Sequence, residues 1–243
     1  MKLGSTQEKT FNLSLSVVVA AYNEEACLKD VLIEICEYLE ANVSDWEIII
    51  VDDGSLDQTY EIAKDLCKQE SRIRCERLEV NSGMGAALKL GYKLAQKDWV
   101  TMLPADGQIK PREISKLLRT CEDADVVTTL YDNAAGGWFR KTISMGLRVL
   151  TVLIVGSRAR TQGNYLVRRS ILNLFSWVSN SFLLNLEIPI RIKKAGYRYK
   201  TAYISVSPRI AGESKAVTPG RIFKTFYDLF LLRWKMIKTT STK

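Results

Sequence analysis

The chain has 243 residues, of which 47% are hydrophobic and 26% charged, a composition that supports one large globular domain with a sizeable core. It contains no histidine, which excludes Ser-His and Cys-His nucleophile pairs, imidazole bases and histidine metal sites. The net charge is +8, and the positive charge is concentrated in residues 188–243, which contain 13 lysines and arginines but only two acidic residues. This distribution indicates an anionic partner.

The first half of the chain alternates strand and helix patterns. Continuous β-branched runs predict strands covered on both faces, and apolar residues at helical spacing predict helices between them. The predicted strands are 15–20, 46–51, 73–80, 99–103 and 125–130. The predicted helices are 24–41, 57–69, 85–96 and 111–121. Strands separated by helices require parallel crossovers, so we expect an α/β fold with a doubly wound, mostly parallel sheet.

The pattern changes after Asn133. The predicted segments are an apolar helix at 136–155, a polar basic stretch at 157–164, helical residues at 170–195, a strand at 199–206 and a final helix at 222–238. No internal repeat or linker interrupts this order. We therefore expect one domain over residues 12–216 and an amphipathic helix with a short tail over residues 217–243.

Acidic residues follow the first two predicted strands. Strand one leads into Tyr22-Asn23-Glu24-Glu25, and strand two into Asp52-Asp53-Gly54-Ser55. Ligands of open parallel sheets bind outside the carboxyl ends of the strands, and two adjacent acids repel unless cations or hydrogen-bond donors face them. A structural alternative is an Asx turn in which Asp53, Gly54, Ser55 and Asp57 cap the next helix. Spacing alone does not separate the two.

Two further segments carry candidate ligand groups. Gly83 and Gly85 precede a predicted helix, where they would let backbone approach a phosphate, although a tight strand-to-helix turn needs the same residues. After the fourth strand, Asp106 and Gln108 could place two oxygens on one hard cation, which suits Mg²⁺ or Mn²⁺ bridging a diphosphate. The alternative there is a solvated Asp-Gly turn.

These motifs in this order resemble the family 2 glycosyltransferases of the GT-A fold. The resemblance rests on VAAYNEE, VDDGSLD, NSGMGAA and PADGQ, on Glu187 within LNLEIPI, and on the RIAGESK segment. It covers about residues 14–235 and is greatest to dolichol- and polyprenol-phosphate mannose synthases and their bacterial relatives. It implies a hexosyltransferase that moves a hexose, with inversion, from a nucleoside diphosphate sugar to a polyprenyl phosphate at a membrane surface.

The resemblance also implies roles for individual residues. Those assigned to the donor nucleotide or its surroundings are Ala20, Tyr22, Glu24, Val51, Asp53, Gly85 and Ala105. Those assigned to the metal and the reacting groups are Asp106 and Gln108 for Mg²⁺ or Mn²⁺, Arg209 and Lys215 for phosphate, and the helix-borne Glu187.

Four positions depart from the family pattern. Pro104 replaces the first aspartate of the metal motif, and Ala20 replaces a proline. Leu130 and Arg160 stand where the mannose synthases carry an arginine and an aspartate. Losing one carboxylate weakens the cation site, and the identity of the sugar and nucleotide stays open.

The last predicted helix has an apolar face that includes Phe226, Phe230 and Trp234, flanked by basic residues. Such a helix suits the headgroup region of a membrane, or alternatively packs on the domain with its charges solvated. Because the aromatics lie on a helical face and do not form a stacking platform, nucleic acid is not expected as a partner.

The expected location is the cytoplasm, at the periphery of a membrane. The first residues lack the apolar core of a signal peptide, and no run reaches the roughly 18 to 20 apolar residues that span a bilayer. The five cysteines include no C-x-x-C pair and indicate a reducing compartment rather than a disulfide framework or zinc site. The oligomeric state stays open.

Two other functions fit parts of the sequence. A glycosyltransferase with a soluble or polysaccharide acceptor would need a base, for which Glu187 and Asp132 are candidates. A phosphate acceptor is already an anionic nucleophile and needs none, which suits a chain without histidine. A non-catalytic module that binds a nucleotide sugar or a membrane is the alternative of another class, supported mainly by Pro104.

Overall fold

The computed structural model describes residues 11–132 and 163–207, together with six helical residues near the C-terminus: Tyr227, Leu229, Phe230, Leu231, Arg233 and Trp234. Several sequence-based predictions lie outside the described residues. These are the apolar helix at 136–155, Arg160 in the polar basic stretch, Arg209, Lys215, and most of the helix at 222–238.

Seven strands form one mixed, mostly parallel sheet in the order β3-β2-β1-β4-β6-β5-β7. The strands are β1 (Phe11–Ala21), β2 (Val43–Asp52), β3 (Ile73–Arg77), β4 (Trp99–Pro104), β5 (Val126–Tyr131), β6 (Tyr165–Arg168) and β7 (Tyr199–Ile204). The pairs β1–β2, β1–β4, β2–β3 and β5–β7 are parallel. β6 runs antiparallel to both β4 and β5.

Helices connect most of these strands. They are α1 (Leu28–Asn42), α2 (Thr59–Gln69), α3 (Met84–Leu94), α4 (Ile114–Thr120), α5 (Arg169–Leu172) and α6 (Leu184–Lys194), with a 3₁₀ turn at Pro111–Glu113 before α4. Across the described part of the chain, no helix combines the length and apolar character needed to cross a membrane.

The core lies in two layers, one on each face of the sheet. Val17 and Val19 of β1 point into a cluster with α1, α2 and α4, whereas Val18 points into a second cluster with α3 and α6. Because side chains alternate across a strand, a run of consecutive apolar residues is buried on both faces. The two layers confirm the doubly wound α/β architecture predicted from the sequence.

The structure corrects the sequence-based assignment after β5. β6 was not predicted; it has four residues and lies between β4 and β5 in the sheet. The helical segment expected at 170–195 is instead the short α5, an irregular stretch at 173–183, and α6. In that stretch Phe175 and Trp177 are partly exposed. Their hydrophobic character had been taken as part of a helical pattern, and this made the predicted helix too long.

Candidate functional site

The motif-bearing strand ends meet at one edge of the sheet. β1 lies between β2 and β4, with Ala20 paired to Val51 on one side and to Pro104 on the other. The residues that follow these strands therefore lie close together, as expected at the carboxyl ends of parallel strands. Ala20 and Pro104, two of the positions that depart from the family pattern, are direct neighbours.

Hydrogen bonds tie the loop after β1 to the loop after β2. Asn23 has a φ of +53° and donates its backbone N–H to the Ser55 hydroxyl at 2.9 Å, while its side-chain oxygen accepts the Leu56 N–H at 2.9 Å. Glu25 accepts the Gln58 N–H at 2.9 Å. Asparagine tolerates the left-handed region better than most residues. Part of the segment Tyr22-Asn23-Glu24-Glu25 therefore fixes these two loops to each other, and α1 begins at Leu28, later than predicted.

Asp52, rather than Asp53, makes a turn of the kind that the sequence offered as the structural alternative. It is fully buried and accepts the Ser55 N–H at 3.2 Å and the Ser55 hydroxyl, and it forms an ion pair with Arg77 Nε at 3.2 Å. Arg77 also donates to the Ser55 carbonyl at 2.7 Å. Sequence reasoning missed Arg77, because nothing local marks a basic residue at the end of β3 as a partner for a strand-end acid.

Asp53 is hydrogen-bonded to the segment that precedes α3. Its carboxylate is buried and accepts the backbone N–H groups of Ser82 at 2.8 Å and of Gly83 at 2.9 Å. Its own N–H donates to the Ala21 carbonyl at 2.8 Å. The two adjacent acids are thus stabilised separately, Asp52 by a cation and a turn, and Asp53 by the segment that precedes α3.

The glycines before α3 lie against another part of the chain. Gly83 has a φ of +96°, and a Cβ on it would lie 2.5 Å from the Asn180 carbonyl oxygen. A Cβ on Gly85 would lie 2.5 Å from the Ser181 carbonyl oxygen, and the Gly85 N–H donates to the Asn180 carbonyl at 3.0 Å. The sequence left open whether these glycines admit a phosphate or form a tight strand-to-helix turn; the close approach seen is to the backbone of residues 179–181.

The end of β4 carries the candidate metal ligands. Asp106 is buried rather than solvated, and its carboxylate accepts the Gln108 N–H at 3.1 Å across Gly107, whose φ is +68°. Cys27 Sγ lies 3.4 Å from the Ala105 carbonyl oxygen and 3.3 Å from a Glu24 carboxylate oxygen, which places Glu24 next to this strand end.

Asp106 and Gln108 fit a cation site in which a substrate diphosphate supplies the remaining ligands. No group of three or more cysteine, aspartate or glutamate residues suited to a metal occurs in the described regions. Mg²⁺ in proteins is often bound by one or two carboxylates together with substrate phosphates and water. Asp106 and Gln108 could supply that minimal oxygen set, and the described residues offer no larger group of protein ligands.

Glu187 is enclosed by its own chain. It is fully buried, and its carboxylate accepts the backbone N–H groups of Val178 and Ser179 at 3.0 and 2.9 Å and pairs with Arg191 at 2.9 Å. These internal contacts argue against proton abstraction from a substrate. Asp132, the other candidate base, is exposed and accepts the Ser205 hydroxyl at 3.0 Å.

The mixed, mostly parallel seven-stranded sheet and its helices match the fold of solved GT-A glycosyltransferases. Glucosyl-3-phosphoglycerate synthase from Mycobacterium tuberculosis, solved with Mn²⁺, UDP and glucosyl-3-phosphoglycerate, superposes with a TM-score of 0.67 over 90% of this chain and 78% of that chain. The sequence identity is 19%, so this likeness concerns the fold. Residues 16–184 match the family model described as Glycosyl transferase family 2, and the chain belongs to that family.

Two relatives are similar in sequence over part of their length. An undecaprenyl-phosphate 4-deoxy-4-formamido-L-arabinose transferase from Proteus mirabilis is 35% identical over 156 residues, 62% of this chain and 46% of that protein. A dolichyl-phosphate beta-glucosyltransferase from Trichomonas vaginalis is 37% identical over 153 residues, 57% of this chain and 47% of that protein. The chain spans about half the length of these curated relatives.

Proposed function

We propose that this chain transfers a hexose from a nucleoside diphosphate sugar to a polyprenyl phosphate at a membrane surface, with inversion at the anomeric carbon. The observation that carries the proposal is the gathering of the ends of β1, β2 and β4 at one edge, with Asp53 and Asp106 both buried there. Both relatives described above are named for transfer to a polyprenyl phosphate, which supports the acceptor class.

The donor nucleotide is proposed to bind along Ala20, Tyr22, Val51 and Asp53. An ionised carboxylate has about four acceptor positions, so Asp53 can hold the N–H groups of the loop before α3 and still accept a donor from a base or ribose. Glu24 and Ala105 lie beside each other at the neighbouring strand end and would border the same nucleotide. Family resemblance supplies these roles, and the adjacency of the strand ends supports them.

The diphosphate is proposed to lie over the end of β4, where Asp106 and Gln108 would hold Mg²⁺ or Mn²⁺. When bound, such a cation neutralises charge that develops on the leaving diphosphate. Arg209 and Lys215, by family resemblance, would contribute positive charge to the same group. The burial of the Asp106 carboxylate and its hydrogen bond from the Gln108 N–H support this role.

The acceptor phosphate would attack without help from a base, since it is already an anionic nucleophile. The absence of histidine from the sequence agrees with this, and so does the enclosure of Glu187 by its own chain. Catalysis would then depend on positioning the two substrates and on stabilising the leaving group.

The membrane surface is proposed to contact the C-terminal helical residues. Leu229 is fully buried, whereas Tyr227, Phe230 and Trp234 are 67%, 61% and 53% exposed. Burial and the positive charge of nearby Arg233 lower the pKa of Lys194, at the end of α6. Exposed aromatics beside basic side chains are suited to a lipid headgroup region.

Transfer can be tested directly with labelled uridine- and guanosine-diphosphate sugars and either undecaprenyl or dolichyl phosphate. We expect label to move into the organic phase with one or more donors. Label that moves only to a water-soluble acceptor would favour the alternative of a soluble or polysaccharide acceptor. Donor binding with neither transfer nor hydrolysis would favour the non-catalytic module.

Asp53→Ala is expected to weaken donor binding by about 1 to 3 kcal/mol, roughly 5- to 150-fold in the dissociation constant, because a buried charged acceptor is lost. Calorimetric titration with the donor that supports transfer measures this. The matched control is Asp45→Ala, which removes an exposed aspartate near the start of the same strand β2. Equal affinity of Asp53→Ala and wild type would remove Asp53 from the donor site.

A further inference from the structure

Glu187 is a charged side chain enclosed by its own chain. It lies in the first turn of α6, and its carboxylate receives the N–H groups of Val178 and Ser179 and the Arg191 guanidinium. Burying a carboxylate is costly unless hydrogen bonds and an opposite charge compensate for lost hydration. Here that compensation comes from an irregular segment, so the same contacts that stabilise Glu187 also fix that segment. We call residues 176–181 the bridging segment.

Arg191 holds the beginning of the bridging segment. Its guanidinium donates to the Ser176 carbonyl at 2.7 Å and lies 5.3 Å from the ring centres of both Phe175 and Trp177. The two rings are stacked at 5.2 Å, and the Trp177 indole N–H donates to the Leu172 carbonyl at 3.1 Å. An arginine that combines a backbone bond, an ion pair and two aromatic contacts has little freedom to move.

The other end of the bridging segment contacts the glycines before α3. The Asn180 carbonyl accepts the Gly85 N–H, and the Asn180 side chain accepts a hydrogen bond from Lys89. The backbone of residues 179–181 approaches Gly83 and Gly85 so closely that neither could carry a Cβ, so a displacement of one backbone toward the other must move both. The turn at Ser82 and Gly83 is in turn bonded to Asp53.

We propose that Glu187 and Arg191 are positioning residues for the donor site. They act through the bridging segment, which packs against the turn at residues 82–85. The position of this turn sets the orientation of the Asp53 carboxylate. Neither residue touches a substrate in this arrangement. The inference rests on the proposed donor site, which it extends by a set of contacts reaching from α6 to the end of β2.

Glu187→Gln tests this inference, because the amide removes the charge pair with Arg191 and presents an N–H₂ group to backbone donors. We expect the donor KM to rise about tenfold, in keeping with loss of a charge-assisted hydrogen bond, with a smaller change in kcat and an unchanged pH profile. Amide hydrogen exchange in the substrate-free protein should accelerate at residues 82–85 as well as at 176–181.

Two further variants separate positioning from general loss of stability. Glu47→Gln changes another buried glutamate, on β2. Glu47 accepts the Gln96 N–H and pairs with Arg74 of the edge strand β3. This variant should leave exchange at residues 82–85 and the donor KM unchanged. Gly85→Ala should reproduce the Glu187→Gln result without altering Glu187, because its Cβ would collide with the Ser181 carbonyl.

A loss of kcat with unchanged donor KM and a missing limb in the pH profile would overturn the inference and make Glu187 a base. Unchanged exchange at residues 82–85 in Glu187→Gln would also overturn it. The exchange measurement needs no substrate, so it decides the coupling even if the wild-type protein transfers no sugar. A wild-type protein that transfers no sugar would count against the proposed function alone.

Discussion

Asp106→Asn is expected to abolish sugar transfer that depends on a divalent cation. Pro104 leaves Asp106 as the sole carboxylate of the PADGQ motif, so no neighbouring acid within the motif can replace its charge. The amide oxygen can still accept the Gln108 N–H, which favours an intact turn and a folded variant. Removing one group that stabilises charge in a transition state costs about 10²- to 10³-fold in rate. Initial rates against Mn²⁺ and Mg²⁺ concentration measure the effect.

Pro104→Asp is the matched gain-of-ligand variant. It restores the carboxylate that the family carries at this position, beside Ala20 on β1, and should lower the Mn²⁺ concentration that gives half-maximal rate. The metal assignment fails if wild type is equally fast in EDTA and Asp106→Asn stays active. Charge stabilisation would then be assigned to Arg209 and Lys215, which the family resemblance places near phosphate.

Much of the sheet could be predicted from local patterns. The runs in the C-terminal halves of β1 and β2, residues 17–21 and 48–51, are apolar without interruption, and burial on both faces of a parallel sheet is the usual cause of such runs. β6 could not be found this way, because four residues carry too little pattern and its antiparallel pairing depends on β4 and β5, which precede it by about forty to seventy residues.

The location of the candidate site was predictable, but the partner of each side chain was not. Adjacent acids after β2 marked the edge of the sheet, yet the assignment of the turn to Asp52 depends on Arg77, and the environment of Asp53 depends on Ser82 and Gly83. These contacts join residues distant in sequence, and side-chain chemistry at one position does not specify them. For the same reason, the internal role of Glu187 becomes visible only when residues 176–181 are folded over it.

The exposed aromatics near the C-terminus lead to a prediction about membranes. Phe230 and Trp234 are exposed, and Leu229, on a different side of the same helical segment, is fully buried. The sequence left open whether the aromatic face meets a membrane or packs on the domain, and these exposures favour the membrane. Basic residues near an anionic leaflet contribute about 1 kcal/mol each, and this attraction is screened by salt. Apolar insertion adds a part that salt does not weaken.

Binding to vesicles that contain anionic lipid should therefore decrease with rising salt without disappearing, and should fall steeply in the double variant Phe230→Ser/Trp234→Ser. That variant should melt close to wild type, because neither side chain is buried. Leu229→Ala is the matched control: it should lose about 2 to 5 kcal/mol of stability through an unfilled core position. Co-sedimentation measured beside a melting curve distinguishes the two faces. A double variant that binds vesicles fully but unfolds tens of degrees early would mean that the aromatic face packs on the domain.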